Sequence, residues 1–204
     1  GDTILGIQTT NGTISGDIVN GTAGPVTLTI GAPNQGAGNV NITGKIEDGV
    51  GMGVVSLEKV GAGTLTLSGD NSYSGTTVIV DGTVVAGSDT GIGSGDLYFG
   101  SSDASSPATT TVGALDLSAF SAAVSNLYFF THSPLHNVVT IGAGKTLTVG
   151  DGTTPVDVIF GPPVAPRRMS CSPGKVAWTS TAMALPCFSW AVPPVRTTEA
   201  PRWT

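Results

Sequence analysis

Short runs in which apolar or β-branched residues alternate with small polar ones recur along this chain, and they limit what it can fold into. The clearest runs occupy residues 3–7, 26–30, 40–43, 64–67 and 146–149. Alternation places every second side chain on one face, which is the period of a half-buried β-strand. Asn-Gly and Asp-Gly pairs, which favour turns, occur at residues 11–12, 20–21, 48–49, 81–82 and 151–152. No convincing helical period interrupts them, so residues 1–161 are predicted to be all-β.

Internal repetition favours a solenoid over a sandwich or a barrel. Residues 61–70 are echoed by residues 142–151, and residues 15–18 by residues 43–46. Self-similarity without a strict short period is typical of solenoids whose coils vary at the turns. With about 20 to 25 residues per coil and a strand spacing of about 4.8 Å, the body would form about seven coils and a rod of about 35 Å. We therefore expect a parallel β-helix with ladders of inward apolar side chains.

Composition changes abruptly at residue 161. Residues 1–161 contain 29 of the 30 glycines and carry a formal charge of −10, whereas residues 162–204 contain eight of the 13 prolines and carry +4. We interpret residues 1–161 as the folded body and residues 162–204 as a Pro/Arg/Trp-rich tail that is disordered or frame-shifted. The alternative is a proline-rich linker followed by an adaptor segment in which Cys171 and Cys187 pair. Residues 165–204 are expected to be poorly ordered, because no period organises them.

Charge and hydropathy argue against several classes of protein. No apolar stretch is long enough for a membrane-spanning helix, since the most apolar segment, residues 182–192, is short and contains Pro186. The first residues do not resemble a secretory signal, so we expect either a cytosolic protein or a mature or excised piece of an exported one. The acidic body would repel phosphate backbones, which argues against nucleic acid as a partner.

Residues 57–87 contain a longer motif, LEKVGAGTLTLSGDNSYSGTTVIVDGTVVAG. This segment resembles the autotransporter-associated β-strand repeat, which has a K-x-G-x-G-T-L-x-L-x-G-x-N-x-Y-x-G pattern. The residues that we assign to the repeat motif are Lys59, Gly61, Gly63, Thr64, Leu65, Leu67, Gly69, Asn71, Tyr73, Gly75 and Gly82.

The resemblance implies a right-handed, single-stranded parallel β-helix that is the passenger of a type V secreted autotransporter. Such a passenger is displayed on the bacterial cell surface or secreted, and the full gene would encode an outer-membrane β-barrel translocator. The repeat is expected to support export and folding, and the solenoid to act as a structural or adhesive stalk for an unknown host-cell or cell-surface ligand. If coils form one by one as the chain emerges, folding outside the cell would bias movement outwards.

The repeat residues have expected structural roles. Leu65 and Leu67 should point inward, while Thr64 and the alternate residues after it point outward. The glycines should bracket the strand where a side chain would obstruct a turn. Asn71 is expected to satisfy backbone groups at a corner, and Tyr73 to cover the coil edge with its hydroxyl reaching solvent or backbone.

Acidic residues offer little chemistry, and we expect no enzymatic activity and no cofactor. The alternative is a carbohydrate-active β-helix of the polysaccharide lyase or glycosidase type, which needs two carboxylates positioned on one face. The closest polar pairs are Glu47 with Asp48 and Asp70 with Asn71, which we interpret as solvated turn residues.

Two further features remain open in the sequence. His132 and His136 flank a proline, which argues against a helical metal face, and we predict no metal site. Residues 127–130, Leu-Tyr-Phe-Phe, are interpreted as buried residues that fill the coil, with an exposed docking patch as the alternative.

A phage or surface spike is a third class of protein that we consider, and obligate trimerisation would reveal it.

Overall fold

The structure is a computed structural model that describes residues 3–5, 11–31, 38–51, 53–100, 112–130 and 137–153, and the backbone of later strands between residues 156 and 191. All regular structure in these residues is β-strand. The strands are β1 (Thr3–Leu5), β2 (Gly12–Ile14), β3 (Ile18–Val19), β4 (Val26–Ile30), β5 (Val40–Ile42), β6 (Ile46–Glu47), β7 (Val55–Lys59), β8 (Thr64–Leu67), β9 (Thr77–Ile79), β10 (Gly82–Ala86), β11 (Leu97–Phe99), β12 (Gly113–Leu117), β13 (Ala122–Val124), β14 (Leu127–Phe129), β15 (Val138–Ile141), β16 (Thr146–Val149), β17 (Val156–Phe160), β18 (Arg167–Cys171), β19 (Val176–Thr179), β20 (Met183–Ala184) and β21 (Trp190–Ala191).

Strands from successive stretches of the chain stack in parallel. Sheet A contains the parallel series β1-β4-β7-β9-β11-β14-β17, and sheet B the parallel series β2-β5-β8-β10-β12-β15. The pairs β3–β6 and β13–β16 follow sheet B strands in the chain and are also parallel. The all-β prediction is confirmed, and the stacking is that expected of a β-helical solenoid. The series of seven in sheet A matches the predicted number of coils.

Coil length varies more than the sequence indicates. The coils are shortest from β7 to β9 and from β9 to β11, where Leu57, Thr77 and Leu97 are successive register partners. The longest coil in sheet A runs from β14 to β17, where Leu127 is the register partner of Val158. The expected range of about 20 to 25 residues per coil is therefore too narrow, because the longest coils exceed it.

The variation falls at particular corners of the coil. The connection from a sheet A strand to the next sheet B strand is shortest between β9 and β10, where it consists of Val80 and Asp81. It is longest between β11 and β12, where it comprises residues 100–112. The connection from a sheet B strand to the short strand after it is brief and nearly constant. It comprises residues 15–17, 43–45, 118–121 and 142–145 in the coils where the described residues include such a strand. The first corner thus accepts different lengths, and the second does not vary in this way.

The core consists of ladders of inward side chains from sheets A and B. In sheet B, Leu65 is the register partner of Val40 and Val84, and Leu115 follows in the next coil. All four are buried. Each such side chain contributes about 1.5–3 kcal/mol of stabilisation by leaving water. Sheet A supplies two parallel ladders, made of Leu28, Leu57, Thr77, Leu97 and Leu127, and of Ile30, Lys59, Ile79, Phe99 and Phe129.

Pairing changes direction where the tail begins. The parallel series of sheet A ends at β17, which pairs antiparallel with β18, and β16 pairs antiparallel with β19. Most of residues 162–204 lie outside the described residues, so the predicted disorder or frame shift of the tail stays a prediction. The side chains of Cys171, Cys187, His132 and His136 also lie outside the described residues. In the part of the chain that is described, no helix is long and apolar enough to cross a membrane.

Candidate functional site: the repeat and its buried polar contacts

The predicted repeat occupies about one and a half coils of the solenoid. It runs from within β7 through β8 and β9 to β10, so one continuous segment contains two neighbouring strands of each sheet. Strands β7 and β9 pair in sheet A, and β8 and β10 pair in sheet B. The segment therefore contains a complete contact between successive coils on both sheets.

Strand β8 has the two faces that alternation predicts. Leu65 and Leu67 are fully buried. Thr64, Thr66 and Ser68 are partly exposed on the opposite face. The inward pair extends the sheet B ladder, because Leu67 is the register partner of Ile42 and Ala86.

Glycines of the pattern are required by close approach of backbone from other parts of the coil. A Cβ atom at Gly69 would collide with the carbonyl oxygen of Gly44 in the preceding coil. Gly82 has a φ of 78°, and a Cβ there would meet the carbonyl oxygens of Gly61 and Gly63. An L-residue would be strained at Gly82 on both grounds.

Lys59 is a buried cation within an apolar ladder. It is the register partner of Ile30 and Ile79, and its exposed fraction is 2%. Its Nζ donates to the backbone carbonyls of Val60 at 3.0 Å and Asp81 at 3.2 Å, and also to that of Gly61. Burial lowers the pKa of Lys59 to about 8, and the negative charge of Asp81 partly offsets this effect. The ammonium group thus ties the turn after β7 to the corner before β10.

Asn71 connects three successive coils. Its Oδ1 accepts a hydrogen bond from the backbone nitrogen of Ile46 at 2.8 Å, 25 residues earlier. Its Nδ2 donates to the carbonyl of Gly91 at 2.6 Å, 20 residues later. The predicted role at a corner is thereby given particular partners, one in the preceding coil and one in the following coil. Only 5% of the side chain is exposed.

The position of Tyr73 corrects an expectation from the sequence. Tyr73 is fully buried, and its hydroxyl lies 2.8 Å from Oγ1 of Thr77 rather than reaching solvent or backbone. Because Thr77 Oγ1 donates to the carbonyl of Ile92 at 2.8 Å, the Tyr73 hydroxyl is the donor to Thr77. Burial raises the pKa of the Tyr73 phenol. Thr77 occupies a position in a ladder where both register neighbours are leucines. Its hydroxyl group provides the hydrogen-bond partner that a tyrosine buried in the core requires.

Buried polar side chains are concentrated around the repeat. Of the described residues, five polar or charged side chains are buried, and four of them are Lys59, Asn71, Thr77 and Ser88. Ser88 Oγ donates to the carbonyl of Gly69 at 2.8 Å. Within the described residues every buried side-chain nitrogen or oxygen has a hydrogen-bond partner. A shift of register would leave these groups unpaired, so they specify one alignment of the coils.

The carboxylates that sequence analysis paired serve turns. Asp48 Oδ1 accepts from the backbone nitrogen of Val55 at 2.7 Å, and its Oδ2 accepts from the backbone nitrogen of Ser74 at 3.0 Å. Glu47 forms an ion pair with Lys45 at 3.5 Å. In the part of the chain described, no group of three or more His, Cys, Asp and Glu side chains is placed to hold a metal ion.

Comparison with known proteins bears on the same segment. Residues 57–86 match the family model described as Passenger-associated-transport-repeat. The chain carries a passenger-associated-transport-repeat. The resemblance recognised over residues 57–87 is therefore confirmed, and the buried side chains of Lys59, Asn71, Tyr73 and Thr77 belong to this repeat. No curated protein and no solved structure matches the chain.

Sequence reasoning did not single out Thr77 and Ser88. A signal for Lys59 was available, because Val55, Leu57 and Lys59 alternate on one face of β7 and the lysine must share the inward face of the other two. For Thr77 no such signal exists, since a threonine within a run of β-branched residues is compatible with either face.

Proposed function

We propose that this chain is part of the exported passenger of a type V secreted protein, in which the repeat fixes the alignment of neighbouring coils and so supports folding after export. The observation that carries the proposal is the passenger-associated-transport-repeat at residues 57–86. The proposed location is the bacterial cell surface or the medium, and the proposed partner for export is an outer-membrane translocator encoded in the full gene.

Alignment is the physical task that a parallel solenoid must solve. Strands such as residues 26–30 and 64–67 have similar alternating sequences, so apolar burial alone distinguishes poorly between possible partners. Asn71 and Lys59 add hydrogen bonds that only one register satisfies. The partners of Asn71 are 25 and 20 residues away in the sequence, and one partner of Lys59 is 22 residues away. A coil aligned in this way becomes a template on which the next coil adds.

Folding outside the cell is proposed to favour export. Each coil contacts its neighbours along the chain, so coils can form in order as the chain emerges. The body contains no cysteine, and no disulfide can trap it during passage. Each coil that folds outside opposes return of the chain, because unfolding it would expose buried side chains such as Leu65 and Leu67.

The solenoid is proposed to act as a structural or adhesive stalk rather than as an enzyme. This is supported by the carboxylates of Asp48 and Glu47, which bind backbone amides and a lysine instead of converging on an open site. The proposal predicts that the purified chain releases no reducing ends or unsaturated products from polysaccharides. Release of such products would favour the carbohydrate-active alternative.

Export is tested by surface display with one inward and one outward substitution on the same strand. The chain would be fused between a secretion signal and the translocator of an unrelated autotransporter, and display measured by protease accessibility on intact cells. Leu65→Asp buries a charge and should abolish stable display, whereas Thr66→Asp places the same charge on the partly exposed face and should preserve it. Equal display of the two variants would contradict the proposal.

A further inference from the structure

An aromatic cluster lies on the outer face of sheet A, away from the core. Tyr98 in β11 and Tyr128 in β14 are register partners, and their rings stack with centroids 4.3 Å apart and planes 8° from parallel. Phe130 lies beside both, at 5.9 Å from Tyr98 and 6.0 Å from Tyr128. All three are partly exposed, while the alternate residues Leu97, Phe99 and Leu127 are buried. The alternation therefore directs these rings outward.

Polar groups adjoin the rings on the same face. Asn126 Nδ2 donates to Oδ1 of Asp96 at 2.9 Å, and both residues lie just before the strands that carry the tyrosines. Asp96, Tyr98, Asn126, Tyr128 and Phe130, which we call the aromatic strip, are thus held together before any ligand arrives. Preorganised groups lose little freedom on binding.

The coils that precede β11 carry different side chains on this face. Along the same row of sheet A, the register partners that precede Tyr98 are Val78, Glu58 and Thr29. These positions carry small or polar side chains, as a solvated outer face requires. Large aromatic rings are therefore confined, among the described residues of this row, to the coils of β11 and β14.

The chemistry of the aromatic strip selects among possible ligands. The body carries a formal charge of −10, and Asp96 adds a carboxylate to the strip itself, so polyanions are repelled. A stable protein interface buries about 800 Å² on each partner, so it would have to extend beyond these three rings onto the small and polar side chains of the preceding coils. Aromatic surface beside hydroxyl, amide and carboxylate groups instead fits a ligand with apolar C–H faces and many hydroxyl groups.

We propose that the aromatic strip binds uncharged glycans, with the exposed parts of the Tyr98, Tyr128 and Phe130 rings contacting C–H groups of the sugars. The two tyrosine hydroxyl groups, Asp96 and Asn126 bond to the sugar hydroxyl groups. This goes beyond the proposed role in export, since it assigns a ligand class to residues that the repeat does not include. It also differs from the carbohydrate-active alternative, because the strip binds without cleaving.

The test measures binding of purified full-length chain to maltotetraose, cellotetraose and chitotetraose by titration calorimetry, with heparin as a polyanionic comparator. The chain should bind at least one neutral tetrasaccharide, and heparin more weakly. The double substitution Tyr98→Ala and Tyr128→Ala should lower that affinity by at least about tenfold. The matched control, Thr27→Ala with Thr29→Ala, alters the outer face of β4 and should leave the affinity unchanged.

A second variant covers the case in which the alanine substitutions prevent folding. Tyr98→Phe with Tyr128→Phe keeps both rings and removes the hydroxyl groups, so it should fold and bind the same tetrasaccharide more weakly. Absence of binding to all three tetrasaccharides, tighter binding of heparin, or equal affinity in the phenylalanine variant would overturn the proposal. A dimer in sedimentation that the phenylalanine variant weakens, without glycan binding, would assign the strip to self-association instead. Surface display is measured separately, so loss of glycan binding with normal display would leave the export proposal standing.

Discussion

Replacing Asn71 tests whether hydrogen bonds between coils stabilise the repeat. Asn71→Ala removes the acceptor for the Ile46 amide and the donor for the Gly91 carbonyl, and both contacts are buried. An unpaired buried backbone group costs about 1–3 kcal/mol, so the two together predict a loss of about 2–6 kcal/mol in the free energy of unfolding. The control is Asn39→Ala, which removes one exposed contact to the Thr64 amide at 2.9 Å and should cost less than about 1 kcal/mol.

The variant Asn71→Asp separates the two contacts by pH. At pH 7 its carboxylate can still accept from Ile46, but it cannot donate to Gly91 and is repelled by that carbonyl. Burial and repulsion raise the pKa of this carboxyl in the folded state above its value in the unfolded chain. Its stabilising contribution is then present at low pH, where the proton restores the donor, and is lost as pH rises through the folded-state pKa.

Urea unfolding followed by circular dichroism measures these differences at pH 4 and pH 7. Each value is taken relative to the unsubstituted chain at the same pH, because other carboxylates titrate in this range. We expect Asn71→Asp to be closer in stability to the unsubstituted chain at pH 4 than at pH 7, and Asn71→Ala to show no such recovery. Unfolding midpoints for Asn71→Ala and Asn39→Ala that agree within error would refute the reasoning.

Three further predictions concern the repeat. Thr77→Val leaves the buried Tyr73 hydroxyl and the carbonyl to which Thr77 donates without partners, so it should destabilise the fold by about 2–4 kcal/mol. Tyr73→Phe should cost only about 0.5–1.5 kcal/mol. The reverse order in urea unfolding would contradict the hydrogen bonds assigned to Tyr73 and Thr77. Gly69→Ala forces a methyl group into backbone and should cost at least about 1–3 kcal/mol, while Gly24→Ala, which has open space around its Cβ position, should be nearly neutral; equal melting temperatures would show that the coils separate easily. Because burial lowers the pKa of Lys59 to about 8, the unfolded chain binds more protons between pH 8 and the ordinary lysine range, and stability should rise with pH there. The unsubstituted chain should therefore gain about 1–3 kcal/mol relative to Lys59→Met between pH 7 and pH 10, and a constant difference would indicate that Lys59 keeps its ordinary pKa.

Strands are well predicted from this sequence because alternation is a local property. The expected runs at residues 26–30, 40–43, 64–67 and 146–149 correspond to β4, β5, β8 and β16 with closely similar bounds. The echo between residues 15–18 and 43–46 also has a direct structural counterpart, since β3 and β6 pair with Ile18 opposite Ile46.

The position of a strand within the coil is less predictable. Residues 61–70 and 142–151 have similar sequences, yet β8 belongs to sheet B and β16 pairs with β13 outside it. Alternation determines that a segment forms a strand, but it does not indicate which sheet the strand joins. The connections before β8 and β16, residues 60–63 and 142–145, have the same length, so they do not distinguish the two positions either.

Residues of the candidate site were predicted in part. Leu65 and Leu67 lie where alternation places them, and Asn71 lies at the corner that its residue type favours. The buried hydroxyl of Tyr73 could not be predicted, because its partner Thr77 is known to face inward only once β9 is aligned between β7 and β11. Contacts between coils depend on register, and register is a property of the whole stack.

The unequal corners have a consequence for how such a chain can change. Segments of very different length connect sheet A to sheet B while the strands on either side keep their partners, so this corner can accept foreign peptides without altering the pairing. The corner after sheet B would not accept them, because it has nearly the same length in every coil where a short strand follows. A peptide epitope inserted between Val80 and Asp81 would disturb the contacts of Lys59, whereas one inserted between Phe130 and Asn137 would lie beyond the repeat. The solenoid thus offers a scaffold for peptide display in which the insertion point is chosen by corner.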